Sequence, residues 1–201
     1  MEATLQPPSP IFTFDPNEHR YYLDGVEIPG VTSILKEVGL SQFWGGFTEA
    51  AWRGLHVHEA AELLDLNDLD WNSVYPKWAG YVHAYDRFKR DKGFVPELIE
   101  YQTYHPQFRF AGTIDRRGML TELGERRVIL DLKTGVEEDW HRWQTAGYLV
   151  LGGPSWALDR RGDLYLHEDG TYSPIHWHDD NADIRTFLSA LTVTHTKWSQ
   201  R

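Results

Sequence analysis

The chain has 201 residues and carries 30 acidic against 20 basic side chains, a net charge of -10. Its length suits one domain with a sizeable core, and its apolar and charged fractions are those of a soluble globular protein. The absence of cysteine excludes disulfides, iron–sulfur clusters and thiolate zinc sites, and no apolar run is long enough to span a bilayer. The first ten residues lack the basic start and apolar stretch of a secretory signal, so residues 1–10 are expected to be a short disordered lead before a single domain over 11–201. A reducing cytoplasm is the expected location.

Ile11 to Phe14, Tyr21 to Leu23 and Val26 to Ile28 read as short strands separated by turns at Asp15-Pro16-Asn17 and Asp24-Gly25. Pro29-Gly30 breaks the chain, and Thr32 is placed to cap a short helix over Ser33 to Val38. Longer helices are predicted over Thr48 to Leu64 and Lys77 to Arg90, the second ended by Gly93. Strands follow at Leu98 to Tyr104, Phe108 to Ile114, Gly118 to Thr121 and Arg127 to Leu132. Next come a helix over Glu138 to Leu149, strands at Trp156 to Asp159, Asp163 to His167 and Tyr172 to Trp177, and a last amphipathic helix capped by Asp179 or Asp180. This order predicts an α/β domain with a mixed central β-sheet flanked by helices.

The residues that carry chemistry sit at the ends of the apolar runs. Asp115 closes Gly112-Thr-Ile, and Asp131 and Lys133 close Val128-Ile-Leu. Two residues apart on a strand, Asp131 and Lys133 share a face. Magnesium and manganese prefer oxygen ligands, usually one or two carboxylates with water and substrate phosphate. Asp115, Asp131 and the Leu132 carbonyl offer such oxygens, and Lys133 beside them can offset charge developing on a phosphate. Gly54 and His58 lie one turn apart on a helix, and a glycine in a helix interior suggests close packing at that point. Gln144 and Tyr148 are likewise one turn apart, an amide and an aromatic face suited to a nucleic-acid strand. The net charge of -10 opposes nonspecific polyanion binding, so a nucleic-acid reading demands that nearby bases, namely Arg53, Arg116, Arg117, Lys133 and Arg142, form a local groove.

Gly54-x-x-x-His58, Gly112-Thr-Ile-Asp115, Asp131-Leu-Lys133 and Gln144-x-x-x-Tyr148, in that order between residues 52 and 149, resemble the RecB-like, phage-type exonuclease branch of the PD-(D/E)XK nuclease superfamily. Tyr21-Tyr-Leu-Asp-Gly through Pro29-Gly-Val-Thr-Ser-Ile-Leu resembles phage-type members too. The resemblance implies a restriction-endonuclease-like domain that hydrolyses DNA phosphodiesters with one or two Mg2+ or Mn2+ ions, leaving a 5′-phosphate and a 3′-hydroxyl. It implies His58, Asp115, Asp131 and the Leu132 carbonyl as metal ligands and Lys133 as the catalytic lysine. Gln144, Tyr148, Arg53 and Arg116 are the expected DNA contacts, and Glu100 is a candidate additional acid. The implied partners are single-stranded DNA or duplex ends, a recombination partner protein or a second copy of the chain. The implied setting is DNA recombination, repair or processing in a bacterial or phage-infected cell.

The pattern departs from the family at Leu55, where a threonine is frequent, and in lacking the four cysteines that hold an iron–sulfur cluster in some relatives. The alternatives are a noncatalytic nucleic-acid- or protein-binding module on the same fold, and a structure-specific endonuclease. His176-Trp177-His178, with His167 and Asp179 nearby, admits a zinc site, although an exposed hairpin explains it more simply.

Overall fold

A computed structural model describes residues 10–41 and 48–200, so all but Pro10 of the expected lead lies outside the described residues. β1 (Phe12–Asp15), β2 (Arg20–Leu23) and β3 (Val26–Ile28) form a small antiparallel sheet, as their turn residues predict. Pro29-Gly30 then runs extended against the main sheet, with the Ala111 amide donating to the Pro29 carbonyl at 3.0 Å. That contact fixes where α1 (Val31–Glu37) begins. Gly30 is its N-cap, with no side-chain cap, so the expected capping role of Thr32 is not realised.

α2 (Glu49–Asp65) starts at Thr48, whose hydroxyl accepts from the Ala51 amide. α3 (Ala79–Lys92) stops at Gly93, whose φ of 61° is the left-handed cap expected from sequence. The main sheet follows, with β4 (Phe94–His105), β5 (Phe110–Leu120) and β6 (Arg126–Lys133) antiparallel in turn. α4 (His141–Leu151) crosses over to β7 (Arg160–Tyr165), parallel to β6, and β8 (His176–Trp177) closes the order β4-β5-β6-β7-β8. α5 (Asn181–Trp198) ends the described chain, capped by Asp180, which accepts from the Ala182 amide at 2.7 Å.

Several expected strands change. The two runs either side of Asp115 are one strand, β5, because Gly118 lets the Val95–Pro96 backbone of β4 lie directly against it. Trp156 to Asp159 is not a strand: Gly153–Trp156 is a 3-10 turn, and Trp156 folds back over Gly152. Tyr172 to Trp177 shrinks to the two-residue β8 plus an isolated bridge, since Pro174 cannot donate to a ladder.

β6 is the central strand, and its alternate residues face opposite layers. Ile129 packs with Val31, Ile34, Phe110 and Phe187 beneath α1, α4 and α5. Val128, Leu130 and Leu132 pack with Val57, Tyr85 and Phe88 beneath α2 and α3. A strand covered on both faces reads as a continuous apolar run, and that made it visible in sequence. The architecture is therefore an α/β fold whose five-stranded mixed sheet has helices on both faces. No helix among the described residues is long and apolar enough to cross a membrane.

α4 is clamped between layers at Gly147, where a Cβ would lie 2.7 Å from Phe187 and 2.8 Å from Val31. Alanine normally favours a helix interior by about 1 kcal/mol over glycine. Here the overlap outweighs that gain, at a cost of about 1–3 kcal/mol. Gly147→Ala is therefore expected to lower the urea midpoint, and an unchanged or higher midpoint would show that Phe187 and Val31 yield.

Candidate metal centre and its lysine

The site forms where β5 and β6 part. Their pairing ends at Arg116 opposite Leu130, and one further step of that register sets Asp115 against Asp131. Asp115 replaces the missing ladder bond with its side chain, Oδ2 accepting from the Leu132 amide at 2.8 Å. Both carboxylates are buried, Asp115 at 6% and Asp131 at 2% exposure.

α2 lays His58 across this opening. Its Nε2 donates to the Leu132 carbonyl at 3.0 Å, and its Nδ1 stands 3.2 Å from Glu100 Oε1 and 3.6 Å from Asp115 Oδ2. Glu100 reaches the cluster through an unusual backbone: its φ of 42° is left-handed, in the middle of β4. Such a conformation costs a non-glycine residue about 1–3 kcal/mol and concentrates at functional sites. His58, Glu100 and Asp115 are the one group of three or more potential metal ligands found close together among the described residues. The donor set is one imidazole with carboxylate oxygens, and the Asp131 carboxylate lies beside Asp115.

Lys133 closes the other side. Its ammonium lies 2.5 Å from Asp131 Oδ2 and donates to Gln144 Oε1 at 2.9 Å. Gln144 in turn donates to the Tyr148 hydroxyl at 2.7 Å. Gln144 and Tyr148 are buried, so the residues expected to touch DNA chiefly hold the lysine, although both also reach the wall of a cleft of about 440 Å3 that opens over His58, Glu100 and Asp115. A larger groove of about 820 Å3 lies along α2 and includes none of Glu100, Asp115 and Asp131.

The protonation states follow from crowding. Burial, reinforced by the Asp115 charge, pushes Asp131 up to about 7 against the pull of Lys133. Burial would depress His58, but Asp115, Glu100 and Asp131 lift it to about 9. Burial would raise Glu100, yet the bond to His58 and the charges of His58 and Arg116 hold it below the usual glutamate range. Lys133 is raised as well, since Asp131, Asp163 and Asp115 outweigh the effect of burial. It is therefore an ammonium, suited to stabilising negative charge and not to accepting a proton.

Other expectations need correcting. Arg116 is fully buried, with Nε 2.5 Å from Asp65 and Nη1 2.8 Å from Glu100, so it is an internal counterion and cannot contact DNA. Arg53 lies over the Tyr81 ring, Arg117 pairs with Asp159 and Glu97, and Arg142 with Asp183. The expected groove of bases is thus not formed by these residues, and Lys133 alone of the five stands in the site. A Cβ at Gly54 would meet nothing within 4 Å, so this glycine is not a packing point; it borders the cleft. The Leu132 carbonyl accepts from His58, which leaves its second lone pair available. At the alternative zinc site the His176 and His178 rings stay adjacent, 4.9 Å between centroids, but each has its own partner: His176 pairs with Glu137 and His178 with Asp163, while His167 bonds Ser173 and Asp179 pairs with Arg160.

Asp163 went unnoticed in sequence. It is fully buried beside Asp131 in the β6–β7 register and held by His178 at 2.6 Å. An aspartate within an otherwise buried parallel strand was the available signal. No protein-family model matches this chain, and no curated protein is significantly similar to it in sequence.

Because His58 is raised in the fold from 6.5 to about 9, its stabilising contribution is complete below 6.5 and lost as pH rises through 9. In chelator, the thermal midpoint is expected to fall across that window, and His58→Gln to flatten the fall. A divalent cation at the same acids competes with the imidazole proton, so Mn2+ is expected to raise the midpoint more at pH 9 than at pH 6.5. An equal Mn2+ effect at both pH values would separate His58 from the cation.

Proposed function

We propose that this chain is a divalent-metal-dependent deoxyribonuclease of the PD-(D/E)XK type, in its RecB-like, phage-type branch, acting as an exonuclease in DNA recombination, repair or processing. The observation that carries this reading is the convergence of His58, Glu100, Asp115 and Asp131 on one opening, with the Lys133 ammonium held against Asp131. The five-stranded mixed sheet is compatible with a restriction-endonuclease-like fold, in which the acids occupy the splayed end of the central antiparallel pair.

Bound at these ligands, Mg2+ or Mn2+ would supply Lewis acidity at the scissile phosphate and acidify a water. The chain's own residues do the rest. Asp115 and Asp131, the latter as a carboxylate, would hold the cation, with Glu100 and His58 completing the ligand set. Lys133 directs its N–H groups at phosphate oxygens and offsets the charge that grows there. Gln144, itself fixed by Tyr148, gives the Lys133 ammonium a second acceptor besides Asp131. Gly54 leaves the mouth of the cleft open to a nucleic-acid backbone. With few bases at hand, the attraction for phosphate comes from the cation and Lys133.

Labelled linear single- and double-stranded DNA, incubated with Mg2+, Mn2+ or chelator, is expected to be degraded from its ends only with metal. No metal-dependent loss of either substrate would sink the enzyme reading and leave the noncatalytic module. Lys133→Ala is expected to lower cleavage at least a hundredfold while DNA binding persists. Gly54→Ala is expected to raise stability by up to about 1 kcal/mol and yet lower cleavage by filling the cleft mouth.

A further inference from the structure

α2 has a second functional face. His56 and His58 are two residues apart, which on an α-helix turns their side chains about 200° from one another. His58 enters the metal cluster, and His56 enters the larger groove of about 820 Å3 between α2 and the start of α3. There it is sandwiched between Trp52 and Trp78, with ring centroids 5.5 and 5.0 Å away and planes inclined by 23° in both cases. Tyr75 extends the row, 4.8 Å from Trp78. The residues that α2 offers to the groove, Trp52, His56, Glu59, Ala60 and Leu63, follow the 3-4 spacing by which one helix receives another. Yet Trp52 is 44%, Tyr75 56% and Leu63 37% exposed. A contiguous exposed apolar surface rich in tryptophan and tyrosine is characteristic of a binding site.

The rim charge selects the occupant. Glu49 and Glu59 stand at the groove with side chains 66% and 56% exposed, Glu49 pairing with the groove's one lysine, Lys77, and Glu59 with His56. The groove thus offers phosphate no unpaired lysine or arginine, which disfavours a nucleic-acid strand despite the stacked rings. A second copy of a chain carrying a net charge of -10 would set acidic rim against acidic rim. We propose that this groove docks an amphipathic helical segment of a partner protein, with apolar side chains at 3-4 spacing and flanking lysine or arginine. From Trp52 to Leu63 the stripe runs roughly 16 Å, so the segment needs about three helical turns. Docking there leaves the cleft on the opposite face of α2 open.

The test uses the full chain and a fluorescein-labelled 14-residue peptide of leucine and lysine, with leucines at 3-4 spacing. A glutamate-for-lysine counterpart and a 12-nucleotide oligo-dT serve as comparisons. Saturable anisotropy change is expected with the lysine peptide and not with the glutamate peptide. Trp52→Ala, and separately the pair Glu49→Lys and Glu59→Lys, are expected to weaken binding at least tenfold. Both variants are expected to keep the parent's thermal midpoint within a few degrees and its response to Mn2+. No saturable binding, binding unchanged in these variants, tighter binding of oligo-dT that Trp52→Ala abolishes, or a dimer in sedimentation that Trp52→Ala dissociates would each overturn the proposal.

Discussion

The buried guanidinium of Arg116 is the constraint on which the candidate site depends. It has no exposed surface, and it joins elements distant in sequence: Asp65 at the end of α2, the Tyr85 ring on α3 and Glu100 on β4. A charge removed from water is tolerated only when opposite charges and hydrogen bonds surround it, and removing one partner of such a pair costs about 3–5 kcal/mol. Asp65 is equally enclosed, and Tyr85 and Lys89 complete its ligation. The positions of α2, α3 and β4 are thus interlocked around one arginine. Through Glu100 that arginine also sets how much negative charge the cluster keeps.

Seen from this hub, the site is a balance of charges more than a collection of ligands. Three acids, Glu100, Asp115 and Asp131, crowd one sheet opening, and three cations answer them: Arg116 from beneath, His58 from α2 and Lys133 from β6. Arg116 stays charged at any working pH, whereas His58 and Asp131 titrate within the ordinary range. The cluster therefore stores its protons on His58 and Asp131. Other bases lie away from this opening, ion-paired across the surface as Arg20, Arg87, Arg90 and Arg127 are.

Sequence made the parts of this arrangement with regular causes legible. The β-branched run ending in Asp131 announced a strand buried on both faces, and the two-residue step to Lys133 fixed their common face. Gly93 and Asp180 marked helix ends through backbone and capping chemistry that operates locally. Features that rest on long-range contact stayed hidden. Nothing near Arg116 reveals that its partner is Asp65, 51 residues away. Gly118 read as a strand boundary because the backbone crossing it belongs to β4. Gln144 and Tyr148 have the spacing of an exposed face, and only the packing of α4 against the sheet turns them inward onto Lys133. Glu100 is expected at the site from the family resemblance alone, and the left-handed backbone angle it adopts within β4 is not legible in the strand's alternation.

That angle has another effect. β4 is the outermost strand of the main sheet, paired on one side by β5. An edge of this length, with Val95 and Tyr101 exposed, would ordinarily invite a strand from another molecule. Along it, however, Pro96 has no N–H to give, the register slips between Pro96 and Leu98, and Glu100 twists out of extended geometry. The row of donors and acceptors facing outward is broken near its middle. The distortion that delivers an acid to the interior also makes this border a poor template for intermolecular β-pairing, so protection from aggregation and the shaping of the cluster share one stretch of backbone.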